Sequence, residues 1–383
     1  MGRSALIPKR LANTLLFAAG VAGVAGAAAQ TPRIYSVTVP MEIEYDSNPN
    51  MAIGNAPSTT WLRVRPSVTA TQVQGNEEYS LEGALSAEKS SNSDIAKDRL
   101  DPRLRGQWKH ADGVNTSQLA LLLERQALRA LDIREHVPVG VDGSRTLFAI
   151  SGAWTRDLSD RMSVSGDLRQ DWERYSVNSI SDARHTSGAL RLTRLENERR
   201  SWYGSVNAQL YRTDSRQDPV LGTVGGDRSN VAGAVVGVNQ LLTEGLRVDA
   251  SVGWMHFDQP ITDNDWQGAL RAEYAGEKWL ASAELSRYAG VNTTLGGLLV
   301  TEEVRVRARY AISALTRVDF DFGHSNELAA NSKRAIANLA LVRQLSPAWE
   351  LSVRASRRQQ DLVGGTARSN LLALLLVYSA PDF

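Results

Sequence analysis

The stretch WQGALRAEY, residues 266–274, decides the fold because its side chains separate into two kinds in strict alternation. Trp266, Gly268, Leu270, Ala272 and Tyr274 form one uncharged set, and the residues between them include an arginine and a glutamate. Successive side chains of a β-strand point to opposite faces of the sheet. One face of this strand therefore suits lipid and the other suits water.

The same period-two pattern recurs to the end of the chain, in segments of about ten residues separated by polar connections, which is typical of a transmembrane β-barrel. It predicts an all-β fold, an antiparallel up-and-down barrel of about 18 strands, with 16 as the alternative. The predicted strands begin near Val37, Trp61, Tyr79, Leu100, Gln118, Leu147, Met162, Ser187, Trp202, Val231, Leu246, Trp266, Trp279, Val304, Leu315, Arg334, Trp349 and Ser369.

The connections between predicted strands alternate in length, which favours a barrel over a soluble sandwich. Short ones such as residues 74–77 and 243–245 alternate with long polar ones such as residues 46–60, 289–297 and 359–367. Outer-membrane barrels have short periplasmic turns and longer extracellular loops, and nothing in the physics of a sandwich requires this. The alternation predicts that both chain ends face the periplasm.

The beginning of the chain has the features of a secretory signal peptide. Arg3, Lys9 and Arg10 precede an apolar run that ends in Ala27-Ala28-Ala29. We expect cleavage after Ala29, which leaves residues 30–383 as a single transmembrane β-barrel domain; the alternative is a retained anchor. The mean hydropathy of −0.28 does not exclude a membrane protein, since only alternate residues of a barrel strand face lipid.

Composition and motifs argue against several other functions. The formal net charge of +1 gives no reason to expect a nucleic-acid partner, and the absence of cysteine excludes disulfides and thiolate chemistry. No nucleophile elbow, paired metal-ligating histidines or phosphate loop is present, so we expect no enzyme activity, cofactor or metal.

The histidines lie in or beside connections, at His110, His136, His185, His256 and His324. Asp46, with Asn48 and Asn50, would suit a hard cation but is more typical of a turn.

Outward-facing sets are free of charge, and aromatic residues gather where these sets begin or end, as in the aromatic girdles of outer-membrane barrels. The inward sets are heavily charged. The predicted lumen-lining residues are Arg63, Arg65, Glu82, Asp167, Arg169, Asp171, Arg247, Asp249, Arg271, Glu273, Arg305, Arg307, Arg309, Asp319, Asp321 and Arg354. Two interpretations stay open: cross-strand ion pairs that close the wall, or unpaired charges that select what passes.

Some segments depart from the alternation. Residues 117–124, 231–238 and 371–378 are apolar on both faces, and Pro66 and Pro102 lie inside predicted strands. Inward apolar residues indicate either an inturned segment that covers the lumen or a different register.

The first predicted hairpin, MEIEYDSNPN at residues 41–50 followed by WLRVRPSV at residues 61–68, resembles that of the beta-barrel porin 2 family. The terminal Phe383, after Tyr378, resembles the signal by which the barrel assembly machinery recognises outer-membrane barrels. The family resemblance implies a pore in the outer membrane of a Gram-negative bacterium, in contact with its lipid and lipopolysaccharide. It further implies polysaccharide export and a periplasmic export protein as partner.

Among cargoes, the resemblance puts polysaccharide first, and Tyr203, Tyr211, Trp108 and Tyr288 are predicted to face the lumen or its mouth, where they would guide sugar rings. The alternatives are a diffusion porin for small polar solutes and a non-conducting structural or surface-binding barrel.

Overall fold

The computed structural model describes residues 33–54, 56–128, 142–177, 180–218, 222–224, 226–258, 263–292, 297–328, 332–362 and 365–380. The signal-peptide prediction, His136 and Phe383 lie outside these residues. No helix in the described part of the chain is long and apolar enough to cross a membrane.

The chain folds into β-strands that pair with their neighbours in sequence. Their bounds are β1 Arg33–Asp46, β2 Thr59–Val64, β3 Ser67–Gln74, β4 Glu77–Ser90, β5 Arg99–Ala111, β6 Asn115–Ala127, β7 Ser144–Ser159, β8 Met162–Tyr175, β9 Ala183–Asn197, β10 Arg200–Thr213, β11 Arg216–Asp218, β12 Gly222–Val224, β13 Arg228–Leu241, β14 Leu246–Phe257, β15 Asp263–Ala275, β16 Trp279–Asn292, β17 Gly297–Ser313, β18 Thr316–Glu327, β19 Ser332–Ser346, β20 Trp349–Leu362 and β21 Gly365–Ser379.

The sheet closes on itself because β1 pairs antiparallel with β21, from Thr38 opposite Ser379 to Asp46 opposite Leu371. This sheet has nineteen strands. Since β1 and β4 each pair with both β2 and β3, these two short strands together form one crossing of the barrel wall. The wall therefore has eighteen crossings, as predicted, and β11 and β12 form a separate hairpin. Closure removes the unpaired edges that an open sheet would expose to lipid.

Pro66 and Pro102 lie where no backbone N–H is needed for the hydrogen bonds between strands. Pro66 falls in the gap between β2 and β3, where only its carbonyl is used, accepting a 3.0 Å hydrogen bond from the Leu85 amide. Pro102 pairs with Leu85 of β4, and pairing with β6 begins one residue later, at Arg103. Both positions follow from the missing N–H of proline.

At one end of the barrel the connections are tight turns. Between β5 and β6, the Asp112 side chain accepts hydrogen bonds from the Asn115 side chain and from the backbone amides of Asn115 and Val114, which lowers the pKa of Asp112 to about 2. Gly113 in the same turn has φ +86°, a conformation that favours glycine. We call this end the short-turn end and the opposite end the long-connection end.

The long-connection end differs from the prediction in three places. Strands reach Asn292 and restart at Gly297, reach Glu327 and restart at Ser332, and reach Leu362 and restart at Gly365. The polar composition there predicted loops, but strand pairing satisfies the backbone in water as well as in lipid. The hairpins of β18 with β19 and of β20 with β21 continue beyond the apolar outer surface, whereas the hairpin of β16 with β17 turns into the interior.

Candidate functional site: the charged interior

Every predicted lumen residue lies on one face of the closed sheet. Directly opposite residues of antiparallel strands share a face, so the pairings of Glu42 with Arg63 and of Arg309 with Asp319 extend that face from strand to strand. The other face carries exposed apolar side chains such as Leu62, which is 51% exposed, and Val252, which is 58% exposed. The charges therefore face the interior, and the apolar side chains form the outer wall.

The densest group of interior charges lies where the barrel closes. Arg63 of β2 has its guanidinium 2.9 Å from Glu44 and 3.8 Å from Glu42, both on β1. Arg354 of β20 reaches the same two carboxylates across β21, at 2.6 Å from Glu42 and 2.9 Å from Glu44. Arg65 is 3.0 Å from Glu42. We call these five residues, together with Glu88, the seam cluster.

The carboxylates of the seam cluster and Arg63 are withdrawn from water, whereas the Arg65 and Arg354 side chains are 46% and 39% exposed. Glu42 and Glu44 are each 4% exposed, and Arg63 is 9% exposed. Arg63 also lies 2.5 Å from Glu88 on β4, and its guanidinium stacks 5.1 Å from the ring centre of the buried Trp61. On the β21 side the small Ala373 faces Glu44, which leaves room for Arg354 to cross. The cluster joins four strands on both sides of the closure.

A second group consists of facing rows on β17 and β18. Arg307 lies 3.1 Å from Asp321, Arg309 lies 2.6 Å from Asp319, and Arg305 lies 3.5 Å from Asp321. Arg307 and Arg309, nearer the short-turn end, face open solvent, since their side chains are about half exposed. The Arg305 side chain, farther from that end, is 16% exposed.

The remaining predicted residues are paired unevenly. Arg271 pairs with Glu273, Arg169 lies 2.9 Å from Asp171, and Glu82 lies 3.8 Å from Arg103. Asp249 accepts a 2.8 Å hydrogen bond from the Tyr203 hydroxyl. Asp167 and Arg247 have no ion pair with any residue that the structure describes. Charge pairing thus explains much of the interior but not all of it.

One hairpin leaves the wall and enters the interior. The pairing of β16 with β15 ends at Arg287 opposite Gly268, although β15 continues along β14 as far as Asp263. Beyond that point β16 pairs only with β17, whereas β17 stays paired with β18 as far as Thr301 opposite Glu327. β17 also makes contacts with β10 and β13, which are not its neighbours in the sheet. We call residues 288–292 and 297–301 the inturned hairpin.

The inturned hairpin is held by apolar contacts. Leu298, which is 2% exposed, packs in a buried cluster with Met255 and Phe257 from the inner face of β14, Tyr211 of β10 and Val231 of β13. These interior residues explain the segment at 231–238 that is apolar on both faces: part of its inner face is covered. Of the two interpretations of that segment, an inturned segment that covers the interior accounts for the inward-facing Val231.

Burial differs between the two ends of the interior. Towards the long-connection end, Thr301, Glu303, Ser325 and Glu327 are at most 3% exposed although they face inward. Towards the short-turn end, the side chains of Arg271 and Arg309 are about half exposed. The interior is filled near the long connections and open to water near the short turns.

The predicted sugar-guiding aromatic residues do not form an exposed track. Tyr203 and Tyr211 face inward but are 9% and 1% exposed, and the Arg191 guanidinium lies 3.4 Å from the Tyr203 ring centre. Tyr288 also faces inward and donates a 2.8 Å hydrogen bond to Glu303. For Trp108 the prediction is wrong: it pairs with the exposed Tyr79 and shares the outer face.

Sequence reasoning missed an anchor at the end of β1. The Asp46 carboxylate accepts hydrogen bonds from Arg358, Ser369 and the Asn48 amide. The Asn48 side chain donates to the carbonyls of Ala52, at 2.8 Å, and Arg368, at 3.0 Å, and accepts from the Ala52 amide at 2.9 Å. These contacts occupy Asp46 with protein donors and fasten the connection to β21. Asp46 and Asn48, two residues apart, were the available signal, and the sequence indicated only a turn there.

Replacing Asn48 with alanine is expected to lower the free energy of unfolding by about 1–3 kcal/mol, because buried backbone groups lose their partners. Urea unfolding of the purified barrel, followed by tryptophan fluorescence, measures this. Asn50→Ala is the control, since Asn50 makes one long contact, 3.4 Å from its amide nitrogen to the Ile95 carbonyl. Equal effects of the two substitutions would contradict the anchor.

The closed antiparallel sheet, its apolar outer wall and its charged interior define the fold class of transmembrane β-barrels. No protein-family model matches the sequence, and the comparison with curated proteins finds no match. The resemblance to the beta-barrel porin 2 family therefore stays a prediction.

Solved structures share the fold. The ferric enterobactin receptor of Pseudomonas aeruginosa, as its R480A mutant in complex with enterobactin, superimposes with a TM-score of 0.53 at 9% identity, covering 92% of this chain and 82% of that one. OccK3 (OpdO) of Pseudomonas aeruginosa gives a TM-score of 0.50 at 10% identity, covering 91% and 95%. At such identities the likeness is one of fold alone.

Proposed function

We propose that this chain is an outer-membrane pore for a polar solute, with an exported surface or secreted polysaccharide as the first candidate cargo. The observation that carries the pore is the water-exposed charged interior inside an apolar wall. Arg307 and Arg309 are about half exposed on the inner face, while Val252 on the outer face is 58% exposed. A hydrated, charged wall lowers the barrier for polar solutes, and an apolar outer band matches lipid.

The difference between the two ends of the interior supports export as the first candidate. If the short-turn end faces the periplasm, as in outer-membrane barrels, a solute from the periplasm enters the open half first. It then meets the filled half, where the inturned hairpin lies. This arrangement supports outward movement through a restricted mouth, and it would suit delivery by a periplasmic export protein.

A diffusion porin for small polar solutes is the second candidate. The interior favours it in one respect, since carboxylates and guanidinium groups of opposite sign face each other on β17 and β18 and would orient small ions or polar molecules. A non-conducting anchor is the third candidate, and conductance separates it from both pores.

Reversing interior charge should change ion selectivity in planar bilayers. We expect Arg307→Glu combined with Arg309→Glu to shift the cation-to-anion permeability ratio towards cations by about twofold or more, because both side chains face the water-filled half. The matched control is Arg156→Glu, on the outer face near the short turns. An unchanged ratio in a conducting double variant, or no conductance in the parent protein, would contradict the pore.

The cargo is tested in the cell. Deletion of the gene should abolish surface polysaccharide while small-sugar permeability stays the same, and complementation should restore the polymer. Normal polysaccharide with reduced uptake of small sugars would replace export with the diffusion porin.

A further inference from the structure

Three arginines stand side by side on the outer wall near the long-connection end. Arg184 of β9 lies opposite Arg212 of β10, and Arg212 lies opposite Arg228 of β13. All three are exposed and share the outer face with Trp202 and Val206. Adjacent strands are about 4.8 Å apart, so the three backbone positions span about 10 Å. We call Arg184, Arg212 and Arg228 the arginine row.

The arginine row has no carboxylate partner in the part of the chain that the structure describes. Like charges directly opposite each other on neighbouring strands destabilise a sheet. Among the residues that the structure describes, no carboxylate lies within ion-pair distance of any of the three, and the Arg228 side chain has only a 3.2 Å hydrogen bond to Asn230. Most interior arginines, such as Arg63, have one or more carboxylates. The row is therefore a site of unbalanced positive charge that an external anion would relieve.

The position of the row indicates the depth at which that anion lies. Arg184 is opposite Trp172, which in turn is opposite Phe148, and the two rings stack with centres 5.2 Å apart on the outer face. Tryptophan is enriched at the level of lipid headgroups. The row thus borders the apolar band at headgroup depth, where the available anions are lipid phosphates.

We propose that the arginine row binds the phosphate groups of the phosphorylated glycolipid of the outer leaflet. Guanidinium groups form bidentate, charge-assisted hydrogen bonds with phosphate, and three within a short span can hold more than one phosphate. The exposed Arg174, which lies opposite Thr146 one step farther from the apolar band, extends the positive surface. The inference rests on the orientation given under the proposed function, but not on conductance or cargo.

Binding of diphosphorylated lipid A to the full-length barrel in detergent micelles tests the proposal, measured by native mass spectrometry. Arg184→Gln, Arg212→Gln and Arg228→Gln together should weaken binding by about tenfold or more, because the charge-assisted contacts are lost. The control combines Arg156→Gln, Arg194→Gln and Arg343→Gln, which removes three exposed arginines from the outer face near the short turns. It should bind within about twofold of the parent protein.

Stability measurements separate a ligand site from a structural role. In lipid-free detergent the row variant should be at least as stable as the parent, since like-charge repulsion is relieved. With lipid A present, the parent should become the more stable protein. Equal binding of dephosphorylated lipid A, or unchanged binding by the row variant, would overturn the proposal. Displacement of the lipid by millimolar inorganic phosphate would assign the row to a soluble anion instead.

Discussion

Replacing Arg63 with methionine is expected to lower the free energy of unfolding by about 3–5 kcal/mol, the largest stability effect of any single substitution proposed for this barrel. Arg63 is the shared partner of Glu44, at 2.9 Å, and Glu88, at 2.5 Å, and it also approaches Glu42. Methionine preserves much of the side-chain volume but leaves carboxylates that are nearly inaccessible to water without this counter-charge. Urea unfolding in detergent or lipid, followed by tryptophan fluorescence, gives the difference.

The matched control is Arg309→Met, because Arg309 also pairs with a carboxylate on the inner face but is about half exposed. Exposed ion pairs contribute about 0–1 kcal/mol, so this variant should unfold close to the parent protein. The two substitutions remove the same group from the same face, but Arg63 is buried and shared by several carboxylates, whereas Arg309 is exposed and pairs with one.

A second substitution shows that the loss at Arg63 is electrostatic. Glu88→Gln in the Arg63→Met background removes one buried carboxylate that has lost its Arg63 partner and should recover part of the stability, whereas Glu88→Gln alone should be destabilising. Additive losses in the double variant would mean that packing, and not unpaired charge, accounts for the effect. A loss below about 1 kcal/mol for Arg63→Met would show that water reaches the cluster.

Alternation was enough to predict most of the wall. In β14 the uncharged Val248, Ala250 and Val252 separate from Arg247 and Asp249, and the structure places the two sets on opposite faces as expected. The strand count of eighteen also followed from this pattern. The period of a strand is fixed by backbone geometry, so a local pattern determines the face.

The sequence pattern of β5 alone was sufficient to place Trp108 correctly. Leu100, Leu104 and Trp108 belong to one alternate set of β5, whereas Arg103 and Arg105 belong to the other. Applying alternation to this strand places Trp108 outside, and the interest of an aromatic ring for sugar binding does not outweigh it.

Contacts that depend on the third dimension were beyond local pattern. Arg354 and Glu42 are far apart in sequence and meet only because the barrel closes with a particular register. The inturned hairpin is similar: Leu298 and Val300 continue the outer-face set of β17, yet they pack on the inner face of other strands once β16 leaves β15. Alternation with a period of two residues predicts which face of a strand a side chain occupies, but it does not predict whether the strand remains in the barrel wall.

Release of the inturned hairpin from the interior of the proposed pore should raise open-channel conductance in planar bilayers on the order of threefold, since pore width governs the water-filled path. Leu298→Asp places a carboxylate in the apolar cluster with Met255 and Phe257, where an unpaired charge is strongly unfavourable, and should free the hairpin. Leu298→Met is the control, because it keeps an apolar side chain of similar volume and should conduct like the parent protein.

A reversible lock separates release of the hairpin from damage to the wall. A Cβ atom built on Gly297 lies 3.0 Å from the Ser229 hydroxyl oxygen, so Gly297→Cys with Ser229→Cys brings two thiols within disulfide range. The natural chain has no cysteine, which leaves no competing thiol. In the Leu298→Asp background, oxidation should return conductance to the parental value and a reductant should raise it again. Conductance that is high in both redox states would place the restriction elsewhere in the interior, and conductance that is low in both would show that the hairpin does not limit flow.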